Sequence, residues 1–196
     1  MLKRSKLALR EKLKIKREIA SKQIGETAPF KIRDLFLDYF KFKTPQVIAA
    51  YWPINSELNV LPLAEALRQQ NHILCLPRII TPNGALEFGV WSESSHLVKG
   101  TFGTMTIPPD APKVNPTIWL VPLLGFDRQG HRLGYGKGHY DRTLEKCRKI
   151  EDILAIGIGF AAQEVPSVFH ETHDERLDFM VTEKEVIKFN ENSFLR

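Results

Sequence analysis

Five short runs of almost unbroken apolar residues, separated by segments of helical or turn character, limit what this chain can fold into more than any other feature. They are QVIAAYWP (46–53), HILCLPRI (72–79), GALEFGVW (84–91), TIWLVPLLGFD (117–127) and DILAIGIGF (152–160), with FMVTE (179–183) as a short sixth. A strand with one wet face alternates apolar and polar residues, whereas a strand apolar throughout is covered on both faces. Between the runs lie segments with helical spacing: LKRSKLALREKLKIKREIASKQ (2–23), FKIRDLFLDYF (30–40) after a helix start at Thr27 and Pro29, LPLAEALRQQN (61–71) and HYDRTLEKCRK (139–149). This alternation predicts a three-layer α/β architecture, a mainly parallel sheet with helices on both faces. A chain of 196 residues accommodates one such domain, expected over 1–196. Residues 94–116, with Gly100, Gly103 and four prolines, read as a long surface connection.

In such sheets, ligands collect beyond the C-terminal ends of the strands. Leu120–Leu124 leads straight into VPLLGFDRQGHRLGYGKGHYD (121–141), which sets three alternating glycines, two cations and a carboxylate between an apolar run and a helix start. That composition suits a phosphate site. At Gly134, Gly136 and Gly138 the absence of Cβ permits positive φ and a close approach of backbone N–H groups to a ligand. Arg132 and Lys137 add mobile positive charge, and the helix from His139 adds free amides and a partial positive charge. Asp141 in its first turn would repel phosphates unless a cation lies between, which points to Mg²⁺ bridging protein and nucleotide. The loop fits neither GxxxxGK[ST] nor GxGxxG, so a structural turn, with Asp141 serving the helix dipole, stays open as the alternative. The run Val47–Tyr51 would deliver Trp52 and Glu57 to the same edge of the sheet.

Charge is unevenly distributed. The chain carries +5, but residues 1–24 hold nine Lys/Arg and two Glu, a local +7 that leaves the other 172 residues at −2. A basic helix can bind nucleic acid or an acidic membrane, remain a solvated face, or send cations into an anionic small-molecule site. It has no aromatic residue to stack on bases, and Leu9, Leu13, Ala20 and Ile24 share one face, so it is expected to dock on the body. No stretch is long and apolar enough to span a bilayer, and the basic N-terminus lacks the apolar segment of a secretory signal. Cys75 and Cys147, without CxxC spacing, read as free thiols of a reducing compartment. A cytoplasmic monomer without nucleic-acid or membrane partners is expected. His170 and His173 form an HxxH beside Glu171 and Glu175, but zinc needs three or four convergent ligands and no third is evident in the sequence.

Taken together, VPLLGFDRQGHRLGYGKGHYDR (121–142) resembles the signature of the 5-formyltetrahydrofolate cyclo-ligase (5,10-methenyltetrahydrofolate synthetase) family. The family pattern, close to P-x-x-x-F-D-x-x-G-x-R-L-G-x-G-x-G-Y-Y-D-R, is met at Pro122, Phe126, Asp127, Gly130, Arg132, Leu133, Gly134, Gly136, Gly138, Tyr140, Asp141 and Arg142. KLALR (6–10), YWPINSELN (51–59) and HDERLDFMVTE (173–183) extend the resemblance, in order, over nearly the whole chain. It implies a fold similar to sugar-phosphate isomerases and CoA transferases. It also implies conversion of 5-formyltetrahydrofolate and ATP, with Mg²⁺, to 5,10-methenyltetrahydrofolate, ADP and phosphate, through a phosphorylated, imidate-like formyl group attacked by N10.

The resemblance also implies roles. Lys6 and Arg10, one helical turn apart, would contact the nucleotide together with Arg132, Leu133, Gly134, Tyr135, Gly136, Lys137, Gly138, His139 and Tyr140, and Arg132 and Lys137 would stabilise charge on the transferring group. Trp52 and Glu57, with Tyr135, Gly136, Lys137, Gly138 and His139, would face the folate. Asp141 and Asp174 would hold Mg²⁺, with Asp178 as the rival for the second position. Polyglutamylation of the folate is left open. The family usually has tyrosine where this chain has His139, and a histidine can change charge near neutral pH, so ligand affinity here is expected to depend on pH. On the residues alone, a related-fold enzyme acting on a sugar phosphate or CoA ester and a basic nucleic-acid module remain the competing readings.

Overall fold

The period-2 alternation of the central strands builds two cores at once. The structure, a computed structural model, describes the backbone of residues 2–189 and, except at 2–5 and 102, their side chains; the ends of the expected domain, 1 and 190–196, lie outside the described residues. Four α-helices are α1 Leu2–Ile24, α2 Ala28–Tyr39, α3 Leu61–Gln69 and α4 His139–Arg148. The strands are β1 Val47–Ala49, β2 Ile73–Ile79, β3 Leu86–Val90, β4 Val98–Lys99, β5 Met105–Thr106, β6 Ile118–Pro122, β7 Gly125–Phe126, β8 Arg132–Leu133, β9 Leu154–Ile158, β10 Phe179–Val181 and β11 Val186–Lys188. Seven of them form one sheet in the order β11-β10-β9-β6-β1-β2-β3. The inner pairs from β10 to β2 are parallel, and β11 and β3 close the two edges antiparallel.

Ile48, Leu74, Leu76, Leu120 and Ile156 point to one face, where Ile32 and Phe36 of α2 and Leu63 and Leu67 of α3 cover them. Their neighbours Ala49, Cys75, Trp119, Val121 and Ala155 point to the other face, toward Leu144 of α4. The inner strands thus feed two apolar layers, one on each face of the sheet, which is the three-layer α/β arrangement expected from unbroken apolar runs. Both cysteines are free, Cys75 buried and Cys147 half-buried. No helix among the described residues is long and apolar enough to cross a membrane.

Helix α1 docks as its sequence predicts, with Leu13 and Ala20 buried and Leu9 and Ile24 partly so. Leu13 presses on Gly125, where a Cβ would meet its Cδ1 at 2.5 Å. The docked face also carries charge, since Lys6 is 8% and Arg17 2% exposed. Two expectations change. Residues 94–116 are more than a surface connection, because β4 and β5 pair as an antiparallel ribbon and Ile107 is fully buried. The run 117–127 splits, its end pairing as β7 with β8 in a second ribbon that aims the glycine-rich loop.

Candidate active site

Beyond the C-terminal ends of β1, β2 and β6 opens a cavity of about 930 Å³. Every residue expected to touch a ligand lines it, from Lys6 and Arg10 on α1, through Trp52 and Glu57 after β1, to the whole segment 132–141 and Asp174. Segments far apart in the chain thus meet where an open α/β sheet collects its ligands.

The glycine-rich loop is held from both sides. Gly136 has φ +94° and Gly138, the N-cap of α4, φ +66°, values an L side chain rarely adopts. A Cβ at Gly136 would lie 3.0 Å from the Arg10 guanidinium, and one at Gly138 would lie 2.7 Å from Arg142 Nη1. Gly134 departs from the expectation: its φ is not positive and a Cβ there would meet nothing within 4 Å. Its role in the loop is its carbonyl, which accepts from Arg10 Nε at 2.9 Å. Arg142 Nη2 donates to the Lys137 carbonyl at 2.6 Å. The N-cap of α4 makes no side-chain capping bond, which leaves the amides of its first turn as anion donors.

Arg132 is not the mobile cation expected from the sequence. Its side chain is 5% exposed, Nη2 donates to Asp141 Oδ1 at 2.7 Å, and Nη1 donates to the Glu175 carbonyl. Burial lowers its pKa and the Asp141 charge opposes that shift. Asp141 Oδ1 also accepts from the Glu175 N–H at 3.2 Å. Beside this pair, Asp174, the residue preceding Glu175, has its Oδ2 2.8 Å from Lys6 Nζ, which is also 2.9 Å from Glu171 Oε2. Burial disfavours the Lys6 charge, but the bonds and charges of Asp174 and Glu171 outweigh it and raise its pKa. Burial likewise works to raise Asp174, yet Lys6 and the Glu171 N–H hold that carboxyl below its ordinary value.

Ligand-type atoms of Glu171, His173 and Asp174 lie within 4.8 Å of one another, so it is Glu171 and Asp174 that His173 meets. His170 stacks instead on His131, centroids 3.8 Å apart, and the HxxH pair does not converge. Asp178, the rival to Asp174, is buried and accepts from Arg148 Nη2 and the Ala155 N–H, both at 2.8 Å. It is a structural residue away from the cavity lining.

On the other flank, Trp52 packs edge-on to Trp91, centroids 6.3 Å apart. Glu57 Oε2 accepts from the Ile54 N–H at 3.0 Å. Burial pushes its carboxyl above the usual range, against the pull of that N–H and of Arg17. Burial and the Glu57 charge push the Tyr135 hydroxyl up to about 12. His139 is 8% exposed. Its Nδ1 lies 2.9 Å from the Gly84 carbonyl and therefore donates to it, leaving Nε2 buried without a partner.

Sequence reasoning missed the ribbon residues Thr101, Thr104, Met105 and Thr106, which also line the cavity, and Arg17, which lies behind the lining residues Glu57 and Tyr135. A signal existed for Arg17: Lys6, Arg10, Leu13 and Arg17 follow one another by four, three and four residues, the spacing of one helical face.

A mainly parallel α/β sheet carries, at its C-terminal edge, a cavity lined by a glycine-rich loop, cations and carboxylates, the arrangement in which α/β enzymes build their sites. The sequence profile of the 5-formyltetrahydrofolate cyclo-ligase family matches residues 2–183. The chain is 30% identical over 150 residues to the 5-formyltetrahydrofolate cyclo-ligase of Mycolicibacterium smegmatis, covering 71% of this chain and 74% of that protein. It is also 30% identical over 145 residues to the Escherichia coli K12 protein of the same name, covering 71% and 79%. The NMR structure of Aquifex aeolicus 5,10-methenyltetrahydrofolate synthetase superposes with TM-score 0.79 at 27% identity, covering 95% of this chain and 94% of that one. A Mycoplasma pneumoniae 5,10-methenyltetrahydrofolate synthetase shares the fold at TM-score 0.73 and 24% identity, over 91% and 98%. The chain belongs to the 5-formyltetrahydrofolate cyclo-ligase family and is a ligase of folate one-carbon metabolism.

Proposed function

We propose that this chain, acting as a single cytoplasmic domain, converts 5-formyltetrahydrofolate and ATP to 5,10-methenyltetrahydrofolate, ADP and phosphate. The observation that carries the proposal is the lining of one cavity by the glycine-rich loop, its cations and Asp141 on one side and by Trp52 and Glu57 on the other. A phosphate-binding loop and a half-apolar flank in one cavity suit a reaction that joins a nucleotide to a flat, amphipathic second substrate.

The chemistry sets the demand. A formyl oxygen bound through an amide-like N5 is a poor leaving group until phosphorylated. That oxygen attacks the γ-phosphorus and ADP leaves, N10 then attacks the formyl carbon and loses its proton, and phosphate departs with the former formyl oxygen as the methenyl bridge closes. Phosphoryl transfer asks the protein chiefly for positioning and charge neutralisation. Lys6, Arg10 and the loop amides would bind the triphosphate. Arg132 and Lys137 would stabilise charge on the transferring group, with Arg132 already oriented by Asp141 and the Glu175 carbonyl. Trp52 would cover the apolar face of the folate and Glu57 would accept hydrogen bonds from its ring N–H groups. Asp141 and Asp174 would hold Mg²⁺, which when bound neutralises triphosphate charge. Carboxylate oxygens are the hard donors it takes, and Asp174 has Glu171 within the same small cluster.

Oxygen-18 placed in the formyl group tests the sequence of bond changes. The label is expected in the released inorganic phosphate, and unlabelled phosphate would overturn the phosphorylated-formyl route.

A further inference from the structure

We propose that Arg17 is a positioning residue for folate binding: its buried guanidinium fixes the Glu57 carboxylate and the Tyr135 hydroxyl in one arrangement, and so ties the folate-facing residues to the helix that carries Lys6 and Arg10. The inference rests on the reading of Glu57 and Tyr135 as substrate contacts.

Arg17 is 2% exposed and does not line the cavity, whereas Glu57 and Tyr135 do. Its guanidinium reaches three residues on two chain segments. Nη2 donates to the Tyr135 hydroxyl at 2.6 Å, with Cζ 5.4 Å from the Tyr135 ring centre. Nε donates to Ser56 Oγ at 3.1 Å, and Nη1 lies 3.7 Å from Glu57 Oε1 without a hydrogen-bond partner of its own. Desolvating a guanidinium is costly, as for any buried ion, and the cost is normally offset by satisfying all its donors. Here the contact with Glu57 is electrostatic without a completed bond. Such an arrangement favours the charged carboxylate while leaving it able to accept from a ligand, and it is not the geometry that maximises stability.

The ionisable groups facing Glu57 are Arg17 from α1, Tyr51 after β1, Tyr135 from the loop and Tyr140 from α4. Among these Arg17 is the cation. Burial pushes Glu57 toward its neutral form, and a protonated carboxyl is a poorer acceptor for the ring N–H groups of a pterin. Arg17 opposes that neutralisation, and through Tyr135 it also sets the start of the glycine-rich loop. A lysine could supply the charge but not the fork that reaches three partners.

The test uses the full chain as wild type, R17M, R17K and E57Q, with thermal unfolding to verify folding and with KM for each substrate measured against pH. R17M is expected to raise KM for 5-formyltetrahydrofolate on the order of tenfold, since one charge-assisted contact is at stake. KM for ATP should stay within about twofold, the scatter of an untouched site. The acid limb of kcat/KM for the folate should move to higher pH, so the defect narrows under alkaline conditions. R17K should raise the folate KM with the acid limb in place. If R17M does not fold, R17K decides: an unchanged folate KM overturns the proposal. A folded R17M with wild-type folate KM and pH profile, while E57Q is impaired, overturns the positioning role alone. Normal folate KM in E57Q removes the substrate reading of Glu57 and the inference with it.

Discussion

Alanine at Gly136 and at Gly134 should separate what the loop needs to fold from what it needs to bind. At Gly136 the backbone sits at φ +94°, and forcing an L residue into left-handed space costs roughly 1–2 kcal/mol. The added methyl would lie 3.0 Å from Arg10 Cζ and Nη2, displacing the guanidinium whose Nε holds the Gly134 carbonyl at 2.9 Å. Part of a charged hydrogen bond, worth about 1.5–3 kcal/mol, would go with it. The sum is on the order of 2–3 kcal/mol, which for a chain of this length lowers Tm by about 5–10 °C. At Gly134 φ is not positive and no atom lies within 4 Å of the new Cβ. Alanine there should leave Tm unchanged or raise it slightly, by about 0.4–1 kcal/mol of unfolded-state entropy. Because Gly134 lines the cavity, its methyl should nevertheless raise KM for ATP. Differential scanning calorimetry and steady-state kinetics on the two variants decide the matter. Equal loss of Tm in both, or a thermally neutral Gly136→Ala, would refute the reasoning.

Asp141→Ala should abolish turnover and lower stability by about 3 kcal/mol, the lower end of the range for breaking a buried pair, because Arg132 is left buried without its carboxylate; calorimetry and activity measure the two effects, and normal turnover would sink the Mg²⁺ assignment. Lys6 and its two carboxylate partners move apart in pKa. Asp174 and Glu171 are lowered, so their stabilisation is present above the ordinary carboxylate range and is lost as pH falls through the lowered values. Lys6 is raised, so its stabilisation is present below the ordinary lysine value and is lost as pH climbs through the raised one. Lys6→Met should therefore lose stability throughout that window and show a weaker fall in Tm on acidification than wild type.

Much of the fold was legible because its signals are repeated. Residues 46–53, 72–79 and 152–160 each supply side chains to both cores, so an unbroken apolar run could only be a strand covered twice. The features that escaped lack that redundancy. β4 and β5 are two residues each, set among prolines and glycines that read as loop, and what holds them is tertiary: Thr106 Oγ1 donates to the Pro77 carbonyl at 2.8 Å. β11 is an antiparallel edge of three residues, too short for a periodicity. In the site, the expected residues meet at one cavity, but residue types did not reveal their mutual pairing. Arg132 looked mobile because its partners, Asp141 and the Glu175 carbonyl, lie 9 and 43 residues away. The choice between Asp174 and Asp178 depended on Arg148, whose guanidinium captures Asp178. Arg17 was hidden by its setting, one cation among nine in residues 1–24, and only docking of the helix distinguishes it from its solvated neighbours.

The most direct measurement is the near-ultraviolet absorbance of the purified protein mixed with 5-formyltetrahydrofolate and MgATP, with ATP omitted as the control. The account predicts that the band of the methenyl product rises only when ATP is present. A folded protein that binds MgATP yet produces no such band would contradict the central claim and direct the loop's phosphate chemistry to another acceptor.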